Sequence, residues 1–227
     1  PSGMRRPYLR NGLYADPRQD ALPFRKAKSA VGHAVWGNYL YSGVADVYAE
    51  TGDKTLLSAL ENIWQDISTS KMYITGGSTA SHEGEKFGKD YVLPNSRAYN
   101  ESCSNIASAM WNWRMLNISG DARYADRLEL ILYNSALSSI DAGGTKFAYA
   151  NPIRRTEGLD LHVKYGPERW VQIKETCCPP NIVRTIAKAH GWFYNVSQEG
   201  LWINMYGGNK LETILPDGAE IRLTQET

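Results

Sequence analysis

From Gly32 onward the apolar positions fall into helical periods broken by short polar turns. The stretch HAVWGNYLYSGVADVYAETG sets Val35, Tyr39, Leu40, Val44 and Val47 at helical spacing, which predicts an amphipathic helix with those residues inward. Gly52 stands where a left-handed residue would end it, and Asp53 where a cap would start the next helix, DKTLLSALENIWQDIS. The device recurs 68 residues later: ESCSNIASAMWNWRMLNISG runs into DARYADRLELILYNSAL through Gly120 and Asp121. Two hairpins turning at TGD and SGD predict a repeated helix-pair architecture. The period exceeds that of common solenoid repeats, which favours an α/α toroid over an open array.

Between the hairpins, Met72 to Asn100 carries no sustained period and mixes Gly, His, Glu and aromatics. A connection this long inside a compact unit is uncommon, and it reads as a site loop. Past residue 143 come two β-type runs, KFAYANPI and RWVQIKE, then the CCPPN turn into a helix, NIVRTIAKAHGWFYNVS. After Gly200 the period shortens to that of strands in LWINMYGG, KLETILP and AEIRLTQ. The first 30 residues are basic and interrupted by Pro7, Pro17 and Pro23, which argues against a long helix there. The expected organisation is an irregular N-terminal segment (1–30), a helical unit (31–199) and the start of a β domain (200–227).

Composition narrows the function classes. Of 227 residues, 42% are hydrophobic and 22% charged, which is ordinary globular material. The net charge of +1 supplies no general field for nucleic acid or an anionic membrane. No apolar run approaches the 18 residues of a membrane span, and PSGMRRPYLR has no signal-like apolar core. Seven Trp and 14 Tyr outnumber four Phe, so most aromatics combine a flat apolar face with a polar handle. That combination suits a sugar-lining cleft as well as a core of large side chains.

Three cysteines are too few, and odd in number, for a disulfide scaffold. Cys103 lies two residues after Glu101 at a helix start, and the adjacent Cys177 and Cys178 precede Pro179 and Pro180 at another. Helix N-termini favour thiolate, and three thiolates with a carboxylate form a sensible tetrahedral zinc set. Three buried core cysteines are the alternative, because free Cys is among the most buried residue types. The loop adds Glu83, Glu85 and His82. A glycosidase needs one group to protonate the leaving oxygen and one to act at the anomeric carbon. A loop glutamate serves as the acid if burial raises its pKa.

The stretches VGHAVWGNYLYSG, MYITGGSTASHEGEKF with DYVLPN, YNESCSNIA, DRLELILYNSAL, FAYANPI and ETCCPPNIVRTIA strongly resemble glycoside hydrolase family 127, from about Gln19 to Gly208 and in the family's order. That family comprises bacterial β-L-arabinofuranosidases with a zinc-bound cysteine nucleophile. The resemblance implies a mainly α fold: part of an (α/α)6 barrel of helical hairpins, with C-terminal strands beginning a β-sandwich. It implies Zn²⁺ on Glu101, Cys103, Cys177 and Cys178, with Cys177 as nucleophile and Glu85 as general acid/base. His33 and Tyr149 match positions lining the sugar pocket, and His82 fits the loop pattern. Trp36 stands where the family often has Arg, and Lys28–Ser29 where it is commonly acidic, so the sugar or aglycone is open to change.

The expected partner is a carbohydrate, an arabinofuranoside-containing plant glycan or oligosaccharide, with no nucleic acid or membrane partner. A homodimer and either a cytoplasmic or a periplasmic location in a bacterium are compatible with this reading. Two other readings stay open. One is a non-catalytic carbohydrate-binding or structural piece with a zinc staple; the other is a redox or zinc-storage protein using the vicinal cysteines.

Overall fold

A computed structural model describes residues 19–20, 22–159, 169 and 177–226. Most of the N-terminal basic segment and of the run RWVQIKE lie outside these. The first hairpin joins α1 (Ala34–Thr51) to α2 (Lys54–Asp66), and the second joins α3 (Ser102–Ser119) to α4 (Ala122–Leu130). Both turns follow the sequence reading. Gly52 (φ 68°) and Gly120 (φ 65°) adopt the left-handed conformation, and each bonds its N–H back to the preceding turn. Asp53 and Asp121 then accept the Thr55 and Arg123 backbone N–H at 2.9 and 3.0 Å, satisfying donors that a helix start leaves open. α2 and α4 each run on into a π-helical turn, Ile67–Lys71 and Ile131–Ala136.

The hairpins lie side by side, with α1 packed on α3 as an inner layer and α2 and α4 outside. This is the packing of a toroid segment. α2 buries Leu56, Ala59, Leu60, Ile63 and Trp64, a single stripe at helical spacing. α3 is buried almost all round, through Ser102–Ala109 and on to Trp111, Asn112, Met115 and Leu116, as an inner helix must be. Tyr41 on α1 meets Trp111 on α3 (centroids 4.9 Å apart), and Trp64 meets Tyr124 edge-on across the outer pair.

α1 departs from its predicted face. Ala34, Gly37, Asn38, Tyr41, Ser42 and Ala45 are buried, whereas Leu40 and Val47 are exposed. The buried face carries small residues at its contacts: Asn38 donates to Ser104 on α3, and a Cβ on Gly37 would stand 3.0 Å from the Phe87 ring of the long connection. Close approach selected size over hydrophobicity, so the largest apolar residues did not mark the inward face.

α5 (Cys178–Lys188) starts with Pro179 and Pro180 in its first turn, where no N–H is required, and packs on α3. The predicted helix through Ser197 ends earlier, in a 3-10 turn at Ala189–Trp192. Tyr194–Ser197 is instead a strand, β3, paired with β4 (Gly200–Ile203). The Gly191 break and the pairing available to YNVS against GLWI outweigh the helical period there. β5 (Asn209–Ile214) and β6 (Glu220–Gln225) form a second antiparallel hairpin. The run KFAYANPI is not a strand; it contributes only an Ile140–Phe147 bridge.

The long connection is ordered around a short hairpin, β1 (Thr79–Ser81) with β2 (Lys86–Phe87). Its base is fixed by the buried Lys71, whose Nζ bonds Asp66 (2.6 Å), the Ala30 carbonyl (3.2 Å) and Asp90 (3.2 Å). Asp66 also accepts the Ala30 N–H at 2.7 Å. Among the described residues no helix is long and apolar enough to cross a membrane.

Candidate active site and metal centre

Two helix N-termini converge on the cysteines. Glu101 is the N-cap residue of α3 and Cys103 lies in its first turn; Cys177 is the N-cap residue of α5 and Cys178 its first helical residue. The four ligand atoms lie within 4.8 Å of one another. Cys103 and Cys178 sulfurs are 3.3 Å apart, Cys177 and Cys178 sulfurs 3.6 Å, and Cys178 Sγ is 3.6 Å from Glu101 Oε1. Tetrahedral bonds of about 2.3 Å would separate neighbouring sulfurs by about 3.7 Å, so the set is close to the size a zinc ion requires.

The electrostatics of the cluster also call for a cation. Burial, then the charges of Glu85 and Cys177, push Glu101 up to about 8. Hydrogen bonds from Cys103 and Cys178 hold the Cys177 thiol well below its ordinary value, whereas burial raises Cys178 and its neighbour Cys177 raises Cys103. Of the three thiols, Cys177 therefore gives up its proton most readily. A bound dication would permit the others to ionise. Glu101 Oε2 is buried with no hydrogen-bond partner, a vacancy in bonding that a metal ligand would not leave. Cys177 is the exposed member, and Cys103 and Cys178 are buried.

The GHAV turn and the site loop are zipped together beside this cluster. Gly32 (φ 72°) accepts the Phe87 N–H at 3.1 Å, and His33 bridges to Lys86. Glu85, the residue before β2, is thereby brought against His33: Glu85 Oε2 lies 2.8 Å from His33 Nε2. His33 also caps α1, its Nδ1 accepting the Trp36 N–H at 3.5 Å. An accepting Nδ1 leaves the proton on Nε2, so a neutral His33 donates to Glu85. Trp36, half exposed, stacks on the His33 ring at 4.7 Å. His33, Glu85 and Glu101 also fall within 4.8 Å of one another, so Glu101 belongs to both groups.

Glu85 has a left-handed backbone (φ 51°) that non-glycine residues adopt at a cost. Its half-buried carboxyl is held below the ordinary value chiefly by the His33 hydrogen bond, against the upward push of burial, with help from Tyr99. The expectation that burial raises this pKa is thus reversed by two hydrogen bonds. His82 does not join the cluster. It packs edge-on against Tyr99 at 4.7 Å, and burial holds its pKa down, keeping it neutral. Tyr149 lies over the cluster, its hydroxyl lowering both Glu101 and Cys177 by hydrogen bonding.

Sequence reasoning passed over Tyr99, whose hydroxyl donates to Glu85 Oε1 at 3.0 Å. It also passed over Ser102 and Asn151. The Ser102 N–H bonds the Tyr149 carbonyl (2.9 Å), and Asn151 bonds the Tyr99 and Asn100 carbonyls (both 2.9 Å). These bonds fix residues 99–103 against 148–151. The available signal was position alone, in YNESC and YAN around the residues already chosen.

The profile of the β-L-arabinofuranosidase GH127 catalytic domain matches residues 7–191. A non-reducing end β-L-arabinofuranosidase of Bifidobacterium longum is 37% identical over 187 residues, covering 80% of this chain and 28% of that protein. The chain therefore spans less than a third of that relative. Among solved structures, a GH127 β-L-arabinofuranosidase from Geobacillus stearothermophilus T6 superimposes with a TM-score of 0.89 at 37% identity, over 98% of this chain and 35% of that one. A structure described as a glycoside hydrolase gives 0.88 at 44% identity, over 93% and 37%. A family-domain match over residues 7–191, most of the chain, makes it a member of the GH127 β-L-arabinofuranosidase catalytic-domain family.

Proposed function

We propose that the chain carries the catalytic part of a retaining glycoside hydrolase that removes terminal β-L-arabinofuranosyl groups, or a related plant-glycan sugar. The observation that supports this reading is the sharing of Glu101 by two groups, one containing Cys177 and the other Glu85. A nucleophile and an acid/base are thereby neighbours, as double displacement requires. The helical unit of residues 31–199 would supply the latter part of the barrel around them.

Glu101, Cys103, Cys177 and Cys178 are the residues that would hold Zn²⁺. When bound, the ion would hold the three sulfurs together as thiolates, adding its charge to the Cys103 and Cys178 hydrogen bonds that already lower Cys177. Cys177 Sγ attacks the anomeric carbon, the bond to the departing oxygen breaks, and Glu85 gives that oxygen its proton. Water then gives a proton to Glu85 and attacks the same carbon, the C–S bond breaks, and configuration is retained. His33 and Tyr99 favour the carboxylate of Glu85, the form the second half-reaction starts from. Sugar binding removes water from Glu85 and sets the Cys177 charge against it. Both effects raise its affinity for the proton needed in the first half-reaction. Tyr149 lines the sugar side of Cys177.

The test combines zinc content with hydrolysis of p-nitrophenyl β-L-arabinofuranoside by the chain and by Cys177→Ala. One zinc per chain, with turnover lost in the variant, is the expected result. A folded sample without zinc refutes the ligand set; zinc-loaded chain inert toward this glycoside refutes its action on that sugar.

A further inference from the structure

Glu85 is held at both carboxylate oxygens by different side chains. His33 Nε2 faces Oε2 at 2.8 Å, and the Tyr99 hydroxyl donates to Oε1 at 3.0 Å. Tyr99 is fixed in turn: its ring is buried, His82 packs against it, and its carbonyl accepts the Asn151 N–H. The next residue, Asn100 (φ 40°), donates its N–H to Thr79 on β1, and Glu101 follows. One short, pinned segment therefore carries both a cysteine-cluster residue and the hydroxyl that grips Glu85.

We infer that Tyr99 is a positioning residue for Glu85, one that sets where the carboxyl delivers and collects its proton. The inference rests on the acid/base role proposed above for Glu85. A carboxylate held at one oxygen turns about its terminal torsion, which is soft and broad. Held at both, it keeps one orientation, with lone pairs left on each oxygen for the substrate. The two holders are not equivalent. The His33 tautomer set by the Trp36 contact only donates at Nε2, whereas a tyrosine hydroxyl both donates and accepts. Tyr99 can therefore keep its contact when Oε1 carries a proton and when it does not, which spans both half-reactions. His82 acts at one remove, by bracing the Tyr99 ring.

Tyr99→Phe deletes the hydroxyl and keeps the ring that packs against His82 and Tyr149. The discriminating measurement is kcat/KM, which reports cleavage of the first bond, on two leaving groups. An alkyl β-L-arabinofuranoside needs full protonation of its leaving oxygen; the p-nitrophenyl glycoside needs little. Loss of a hydrogen bond to a charged group predicts a fall of roughly 10- to 100-fold on the alkyl glycoside and a small change on the p-nitrophenyl one, with zinc content unchanged. Equal losses on both substrates, or loss of zinc, would make Tyr99 a merely structural residue and overturn the inference. Crystal structures of the chain and the variant decide it without turnover. Glu85 is expected to leave its position while the cysteines keep theirs, and an unmoved Glu85 overturns the proposal. A wild-type chain inert on both glycosides would count against the function proposed for Glu85, with the structural comparison still deciding whether Tyr99 holds it.

Discussion

Replacing Asp66 by alanine should be among the most damaging single changes outside the site. Asp66 is 13% exposed and Lys71 1%, and their 2.6 Å contact is the shortest of the three that Lys71 makes. The substitution leaves an ammonium in the interior with only the Ala30 carbonyl and the half-exposed Asp90, and it also removes the acceptor of the Ala30 N–H. Breaking a buried pair from one side costs about 3–5 kcal/mol; Asp90 and water admitted by the truncation bring the expected loss to about 3 kcal/mol. Asp90→Ala, which removes only the exposed partner, should cost less than about 1 kcal/mol. Lys71→Met in the Asp66→Ala background should restore roughly 2 kcal/mol, because the uncompensated charge is gone and an apolar chain fills its space. Urea titrations of the four proteins, followed by helical circular dichroism, give the cycle. A cost for Asp66→Ala below about 1 kcal/mol, or no recovery in the double variant, would refute the view that this charge pair anchors the loop to α2.

Asp53 combines a helix cap with an exposed ion pair to Arg25, and its bonds to Thr55 hold its pKa down to about 2. A depressed carboxyl stabilises above its unfolded value and loses that contribution as pH falls through the folded one. The stability gap between the chain and Asp53→Asn should therefore close between about pH 4 and pH 2, as read by thermal melts. Leu60→Ala opens a cavity under Tyr41, Trp64 and their neighbours and should cost about 2–5 kcal/mol in the same denaturation assay. Trp36→Ala removes the ring stacked on His33 and should cost about 1 kcal/mol or less. Cys103→Ser and Glu101→Gln should each lower zinc content measured by elemental analysis, and a chelator should lower the melting temperature of the chain more than that of either variant.

The parts of the fold that were legible in sequence are those decided within a few residues. Gly52 with Asp53, and Gly120 with Asp121, write a helix stop and a helix start side by side, and no distant neighbour is needed to read them. The inward face of α1 depended on what lay opposite. Gly37 lies against the Phe87 ring, and Ala34 and Ala45 share a cluster with Trp111 and Met115, so small residues went in and Val47 stayed out. Tyr194–Ser197 continued a helical pattern but had strand partners three to nine residues ahead, and pairing decided its state.

The site divides along the same line. Glu101 and Cys103 are two residues apart at one helix start, and Cys177 and Cys178 are adjacent at another, so each half was visible locally. That the halves meet, across 75 residues, was carried by family resemblance and not by spacing. The contacts on Glu85 were hidden for a stronger reason. His33 reaches it only because Gly32 pairs with Phe87, and Tyr99 only because residues 99–103 are pinned to β1 on one side and to 148–151 on the other. Those backbone bonds belong to loops, where no period announces them. They also explain why Glu101 is the residue on which the reading turns. It ends the pinned segment, begins α3, completes the cysteine set and sits beside Glu85, so a displacement of this one helix start would be felt at the metal ligands and at the acid/base together.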